Sequence, residues 1–118
     1  MGRTVLVVDD HADFLRAATA LLAADGFEVV GAAATGAEAL LANEALRPQV
    51  VLVDVRLPDI DGLTVAERLS ALPEPPEVVL VSSREASTYG ARLRSSPARG
   101  FLVKADLSGA ALRRLLSD

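Results

Sequence analysis

Five short apolar runs recur along the chain, and longer segments with helical spacing separate them. Val5 to Val8, Phe27 to Ala32, Val50 to Val53, Val78 to Val81 and Gly100 to Val103 read as strands. Unbroken apolar runs of this kind belong to parallel strands covered by helices on both faces. Glu28 within the second run marks that strand as a sheet edge.

Between the runs, apolar residues return at helical intervals. Phe14, Leu15, Ala18, Leu21 and Leu22 form one stripe, with Asp10 as the expected cap and Gly26 as the left-handed closing residue. Thr35-Gly36-Ala37-Glu38 has capping-box spacing and opens a second helix, with Leu40 and Leu41 expected inward. Asp61 is placed to cap a third, whose inward face is Val65, Ala66, Leu69 and Leu72. Arg84 to about Ser95 predicts a weak fourth helix, because Ser87, Thr88 and Gly90 are poor helix formers. Ser108 caps a fifth, with Leu112, Leu115 and Leu116 inward. This alternation predicts an α/β fold, a doubly wound five-stranded parallel sheet flanked by five helices, as one domain over residues 1–118.

The polar residues that end the strands change the picture from fold to chemistry. Asp9 and Asp10 follow the first run, Asp54 the third, Ser82 the fourth and Lys104 the fifth. Ligands of such sheets sit beyond the carboxyl ends of the strands, so these groups converge on one rim. Three crowded carboxylates raise one another's pKa unless a cation neutralises them, and hard oxygen donors suit Mg²⁺. Ser82 and Lys104 are groups of the kind that stabilise a phosphoryl group in transfer. Asp54 is then the candidate nucleophile.

Composition narrows the alternatives. At 118 residues the chain has room for a single core, and with 51% apolar but only 3% aromatic residues that core is built from Ala, Val and Leu. A net charge of −4 gives no general reason to bind nucleic acid or an anionic membrane. The absence of cysteine excludes disulfides and thiolate chemistry. The opening residues run directly into a strand, with no signal-like or membrane-spanning stretch, and the expected location is cytoplasmic.

Taken together, Asp9-Asp10, Asp54 with Leu57-Pro58-Asp59-Ile60-Asp61-Gly62, Ser82 before a small residue, and Gly100-Phe101-Leu102-Val103-Lys104 resemble the receiver domains of two-component response regulators. That resemblance covers the whole chain and implies a flavodoxin-like fold with sheet order 2-1-3-4-5. It further implies a phosphoacceptor switch, not a turnover enzyme. Asp54 would take a phosphoryl group from a sensor histidine kinase. Asp10 and Asp54 would bind Mg²⁺ directly, Asp9 through water, and the backbone carbonyl of Arg56 would add a ligand. Ser82 and Lys104 would hold the phosphoryl oxygens, and Phe101 would swing inward as helix four, strand five and helix five change surface. Arg56 and Arg84 stand where members of this family tune the lifetime of the phosphorylated state.

Some positions depart from the family pattern. Phe101 replaces the commoner Tyr and removes a hydroxyl from strand five, and Lys104-Ala105 replaces Lys-Pro, so a trans bond is expected there. Ser96-Pro97 replaces the usual small pair before strand five. The region after Lys104 resembles receivers attached to helix-turn-helix output domains, which would lie outside this chain, and homodimerisation is a further implication.

Simpler roles stand beside these. Asp9, Asp10 and Asp61 taken singly are helix caps, and Ser82 has capping spacing to Glu85. His11 reads as a solvated side chain and Tyr89 as helix packing. Arg92, Arg94, Arg99, Arg113 and Arg114 form either a basic output patch or scattered solvated charges. Two other functions compete with the switch: a degenerate receiver acting as a phosphorylation-independent interaction module, and a Mg²⁺-dependent phosphohydrolase. The second would need an acid two residues after the nucleophile, where Arg56 stands.

Overall fold

A computed structural model describes residues 2–117; Met1 and Asp118 lie outside the described residues. Five parallel strands, β1 (Thr4–Val8), β2 (Glu28–Ala33), β3 (Val50–Asp54), β4 (Glu77–Ser82) and β5 (Gly100–Val103), form one sheet in the order β2-β1-β3-β4-β5. The helices are α1 (Ala12–Ala24), α2 (Gly36–Leu46), α3 (Gly62–Ser70), α4 (Ala91–Arg94) and α5 (Gly109–Leu115). Both the fold class and the strand order match the expectation, and Glu28 is exposed on an edge strand as its charge requires.

Strand periodicity divides the core into two halves. Val5 and Val7 of β1, Val50 and Leu52 of β3, and Val79 and Val81 of β4 pack with Ala18 and Leu22 of α1 and Leu112 of α5. The alternate residues Leu6, Val8, Val51, Val53, Val78 and Leu80 pack with Ala39 of α2 and Val65, Ala66 and Leu69 of α3. Extending the alternation, Asp9, Asp54 and Lys104 leave their strands toward the α1 and α5 side, whereas Ser82 and Phe101 face the α2, α3 and α4 side. The candidate site is therefore assembled from both layers.

Caps at most helix starts follow the sequence. Thr35 accepts from the Glu38 N–H at 3.1 Å, Asp61 from Thr64 at 2.8 Å and Ser108 from Ala111 at 3.0 Å. Glu38 returns its carboxylate to the N–H of Ala34, not that of Thr35. Gly26 takes a φ of 94° after α1, as expected.

Four local expectations fail. His11, not Asp10, occupies the cap position of α1 and makes no side-chain cap, its ring Nδ1 being turned instead to Asp9 Oδ1 at 2.9 Å, the same oxygen that accepts the His11 N–H at 2.8 Å. Leu41 is 69% exposed, since α2 turns Gly36, Ala39, Leu40 and Asn43 to the sheet and leaves Leu41 a third of a turn away. Leu72 is 41% exposed because α3 ends at Ser70, before that stripe continues. The predicted fourth helix is two pieces, a 3₁₀ turn at Ala86–Thr88 and the single turn of α4, divided at Gly90 with φ 56°. A side chain is strained at that angle, so the break is specific to glycine.

Candidate functional site

At the carboxyl edge of the sheet, Asp54 ends β3 with 3% of its surface exposed, Asp9 follows β1 fully buried, and Ser82 ends β4 with 1% exposed. Gly62 makes this edge possible: a Cβ there would collide with the backbone carbonyl of Asp54, and its N–H donates to Val55 at 2.8 Å. The start of α3 thus lies directly against the end of β3.

Lys104 reaches back from the end of β5 and supplies the counter-charge. Its Nζ lies 2.6 Å from Asp9 Oδ2 and 3.4 Å from Asp54 Oδ2, with the ring of Phe14 beneath it at 4.6 Å. Burial alone would lower the Lys104 pKa, but the two carboxylates outweigh it and hold the amine above its ordinary value. Asp54 shows the opposite balance. Burial and then the Asp9 charge push its pKa up, against the opposing pull of Lys104 and of the Arg56 N–H, which donates to Asp54 Oδ1 at 3.3 Å.

Oxygens of Asp9, Asp10 and Asp54 and a ring nitrogen of His11 all lie within 4.8 Å of one another. Three hard carboxylates fit Mg²⁺, and the buried Asp9 Oδ2 is held by Lys104 Nζ at 2.6 Å, a cationic contact that a hydrated cation would replace. His11 was expected to be solvated, yet its Nδ1 sits 2.9 Å from Asp9 Oδ1 and 3.2 Å from Asp10 Oδ1. The side chain is outwardly exposed but anchored to the acidic pair.

An open cleft of about 420 Å³ runs over these groups, lined by Asp10, His11, Asp54, Arg56, Ser82, Arg84 and Lys104, among others. A larger groove of about 1040 Å³, near Gln49, Leu72, Pro73 and Glu77, lies at the opposite end of the strands and away from Asp54. The small cleft is the one with chemistry in it.

Ser82 carries a contact that sequence reasoning missed. Its Oγ accepts the Arg84 N–H at 3.0 Å, so it caps no helix with Glu85, and it lies 2.6 Å from the hydroxyl of Tyr89. The Tyr89 and Phe101 ring centroids are 6.0 Å apart at an interplanar angle of 58°, a tilted aromatic pair. Phe101 therefore has its partner on the α4 side. The only sequence signal for Tyr89 was its place on the apolar side of the predicted fourth helix.

Two further acids have structural work. Asp59 accepts from the N–H groups of Gly36 at 2.8 Å and Ala37 at 2.9 Å, which holds its carboxyl below the ordinary value and ties the β3–α3 loop to the start of α2. Asp61, besides capping α3, pairs with Arg92 of α4 at 2.7 Å; that bond is the main reason its pKa is depressed. Arg99 pairs with Glu77 and Arg113 donates to the Asp25 carbonyl, so three of the five late arginines have separate local partners instead of one shared basic patch. No peptide bond is cis among the described residues, which makes Lys104–Ala105 trans.

The family model for the response regulator receiver domain matches residues 5–115. The chain belongs to the response regulator receiver domain family. The receiver is 41% identical over 102 residues to the response regulator GacA of Pseudomonas protegens, covering 85% of this chain and 47% of that protein. It is 34% identical over 104 residues to the virulence-factor transcription regulator BvgA of Bordetella pertussis, covering 88% and 50%. The receiver thus spans about half the length of the curated relatives it matches. Among solved structures, the signal receiver domain assigned to the response regulator NarL of Mycobacterium tuberculosis superposes with a TM-score of 0.85 at 32% identity, covering 97% of this chain and 96% of that one. A CheY-like receiver of Methanospirillum hungatei shares the fold at a TM-score of 0.81 and 24% identity, over 97% and 90% of the two chains. No described helix is long and apolar enough to cross a membrane.

Proposed function

We propose that this receiver accepts a phosphoryl group on Asp54 from the phosphohistidine of a sensor histidine kinase and acts as a switch. The observation that carries the reading is the buried Asp54 carboxylate, with Lys104 Nζ 3.4 Å away and the Asp9 and Asp10 oxygens beside it. An Asp54 oxygen attacks phosphorus, the N–P bond of the donor breaks, its electron pair returns to the imidazole, and the receiver holds an acyl phosphate. Mg²⁺, when bound, supplies positive charge to the phosphoryl oxygens. Asp10 and Asp54 would hold it directly, Asp9 through water, and the Arg56 carbonyl would complete the protein ligands.

Lys104 exchanges its carboxylate contacts for a phosphoryl oxygen, and Ser82 donates its hydroxyl to another. Arg56 and Arg84 line the mouth of the cleft and pair with the phosphoryl group, which slows attack by water. With Arg56 standing where a phosphohydrolase would need its acid, two residues after the nucleophile, the receiver acts as a switch and not as a turnover enzyme. Readout runs through the segment from Ser82 to α4 and through β5, where Phe101 and α5 offer the changing surface to an effector, to a second receiver, or to a helix-turn-helix output domain outside this chain. The transcription-regulator names of the half-matched relatives support the last of these. Soluble, cytoplasmic operation accords with that partner set.

The test is intact mass after incubation with acetyl phosphate, with and without Mg²⁺, on wild type and Asp54→Asn. A phosphoryl adduct requiring both Mg²⁺ and Asp54 is expected. With the fold intact and the donor active on a control protein, no adduct on wild type would leave a phosphorylation-independent module in its place.

A further inference from the structure

Ser82 Oγ has one hydrogen to give and two lone pairs to fill. One lone pair takes the Arg84 N–H at 3.0 Å, and the Tyr89 hydroxyl stands at 2.6 Å. If Ser82 spends its hydrogen on Tyr89, none remains for a ligand in the cleft. If Tyr89 donates instead, both Ser82 lone pairs are filled and the serine hydrogen is left for the cleft, where Ser82 lies beside Asp54 and Lys104.

We propose that Tyr89 is the positioning residue for Ser82: its phenol donates to Ser82 Oγ and so orients the serine hydroxyl onto a phosphoryl oxygen at Asp54. This rests on the phosphoacceptor reading above. Both hydroxyls rotate, no proton changes owner, and the result is a chain of two hydrogen bonds from Tyr89 through Ser82 to the phosphoryl group. Each bond in such a chain polarises the next.

The surroundings of Tyr89 suit the role. The ring packs in a tilted pair against Phe101 at 6.0 Å, and on the far side of Gly90 the next turn is fastened by Arg92 to Asp61 at 2.7 Å. Gly90 lies between these two anchors with open space around it and a φ of 56°. Tyr89 is thus held at the height of Ser82 by packing and by a tether, while the glycine permits the angle between the two turns. The hydroxyl that Phe101 lacks on β5 is supplied from the α4 side.

The experiment uses the sole tyrosine of a protein without tryptophan, so phenol absorbance and fluorescence report on Tyr89 alone. Wild type, Tyr89→Phe, Ser82→Ala and the double variant are phosphorylated with acetyl phosphate and Mg²⁺, with the adduct followed by intact mass and the phenol signal followed in parallel. Tyr89→Phe keeps the ring and removes only the hydroxyl. The expected result is phosphorylation about 3- to 10-fold slower than wild type, the worth of one intramolecular hydrogen bond. No further loss is expected when Tyr89→Phe is added to Ser82→Ala, and the wild-type phenol signal should change on phosphorylation.

Wild-type rates in Tyr89→Phe, losses that multiply in the double variant, or a phenol signal blind to phosphorylation would each overturn the proposal. Absence of any adduct on wild type would instead overturn the phosphoacceptor reading. A thermal midpoint for Tyr89→Phe near that of wild type, beside a slowed reaction, separates positioning from a general loss of packing.

Discussion

Lys104 Nζ stands 3.4 Å from Asp54 Oδ2 while making its closer contact, 2.6 Å, with Asp9. The lysine thus neutralises the acidic site and must release it when a cation or phosphoryl group arrives. Lys104→Met is expected to destabilise the metal-free protein by up to about 3 kcal/mol, because two buried carboxylates lose their counter-charge. Added Mg²⁺ should narrow the gap to wild type. Thermal unfolding across a Mg²⁺ titration measures this; a gap independent of Mg²⁺ would mean that the cation does not bind among these acids.

Asp54 has a raised pKa, caused first by burial and then by Asp9. A folded-state value above the unfolded one means that the ionised form costs stability, fully at pH above the folded value, and that the cost disappears as pH falls below the unfolded value. Asp54→Asn removes it. The variant should melt higher than wild type at neutral pH without Mg²⁺, and the two should converge in acid.

Asp61 is the reverse case, with its pKa lowered first by Arg92 and then by the Thr64 N–H, against opposing burial. Its contribution is complete above the unfolded value and is lost as pH falls through the folded value. Asp61→Asn keeps a capping oxygen for Thr64 but loses the charge facing Arg92. Stability-versus-pH curves for the two proteins should differ at neutral pH and meet in acid, with high salt reducing the difference.

Asp59 caps α2 from a loop more than twenty residues away in sequence, through two N–H groups at 2.8 and 2.9 Å. Asp59→Ala should lower the thermal midpoint, as loss of a cap does. Hydrogen exchange should speed at Gly36 and Ala37 specifically. Slower or unchanged exchange there would show that the loop does not hold the helix start.

Leucine positions separate pattern from environment. Leu52→Ala, at a fully buried site, should cost about 2–5 kcal/mol in denaturant unfolding. Leu41→Ala, 69% exposed, should fall within about 0.5 kcal/mol of wild type.

Much of the site was legible because it obeys strand chemistry. An apolar run such as Val50–Val53 has to be buried on both faces, and a carboxylate directly after it has to emerge at the strand end, whatever the rest of the chain does. The same logic delivered Asp9, Ser82 and Lys104 to one rim, and local capping rules located Asp61 and Ser108 correctly. Where prediction failed, the missing information was non-local. Leu41 and Leu72 carry the right residue type, but their exposure depends on which face α2 shows the sheet and on where α3 stops.

The alternation of short apolar runs with helical stripes, and the polar residue closing four of the five runs, were determined by sequence alone, since backbone periodicity and solvation act over a few residues. The tertiary structure alone decided that His11 meets both Asp9 and Asp10, that Asp59 serves α2, and that Arg92 reaches Asp61. It alone decided that the Tyr89 hydroxyl meets Ser82 across a segment broken at Gly90. Apart from those of His11, which turn on the rotamer it takes beside its sequence neighbours, these contacts depend on packed elements bringing separate groups to 2.6–2.9 Å, a separation that no local spacing rule encodes.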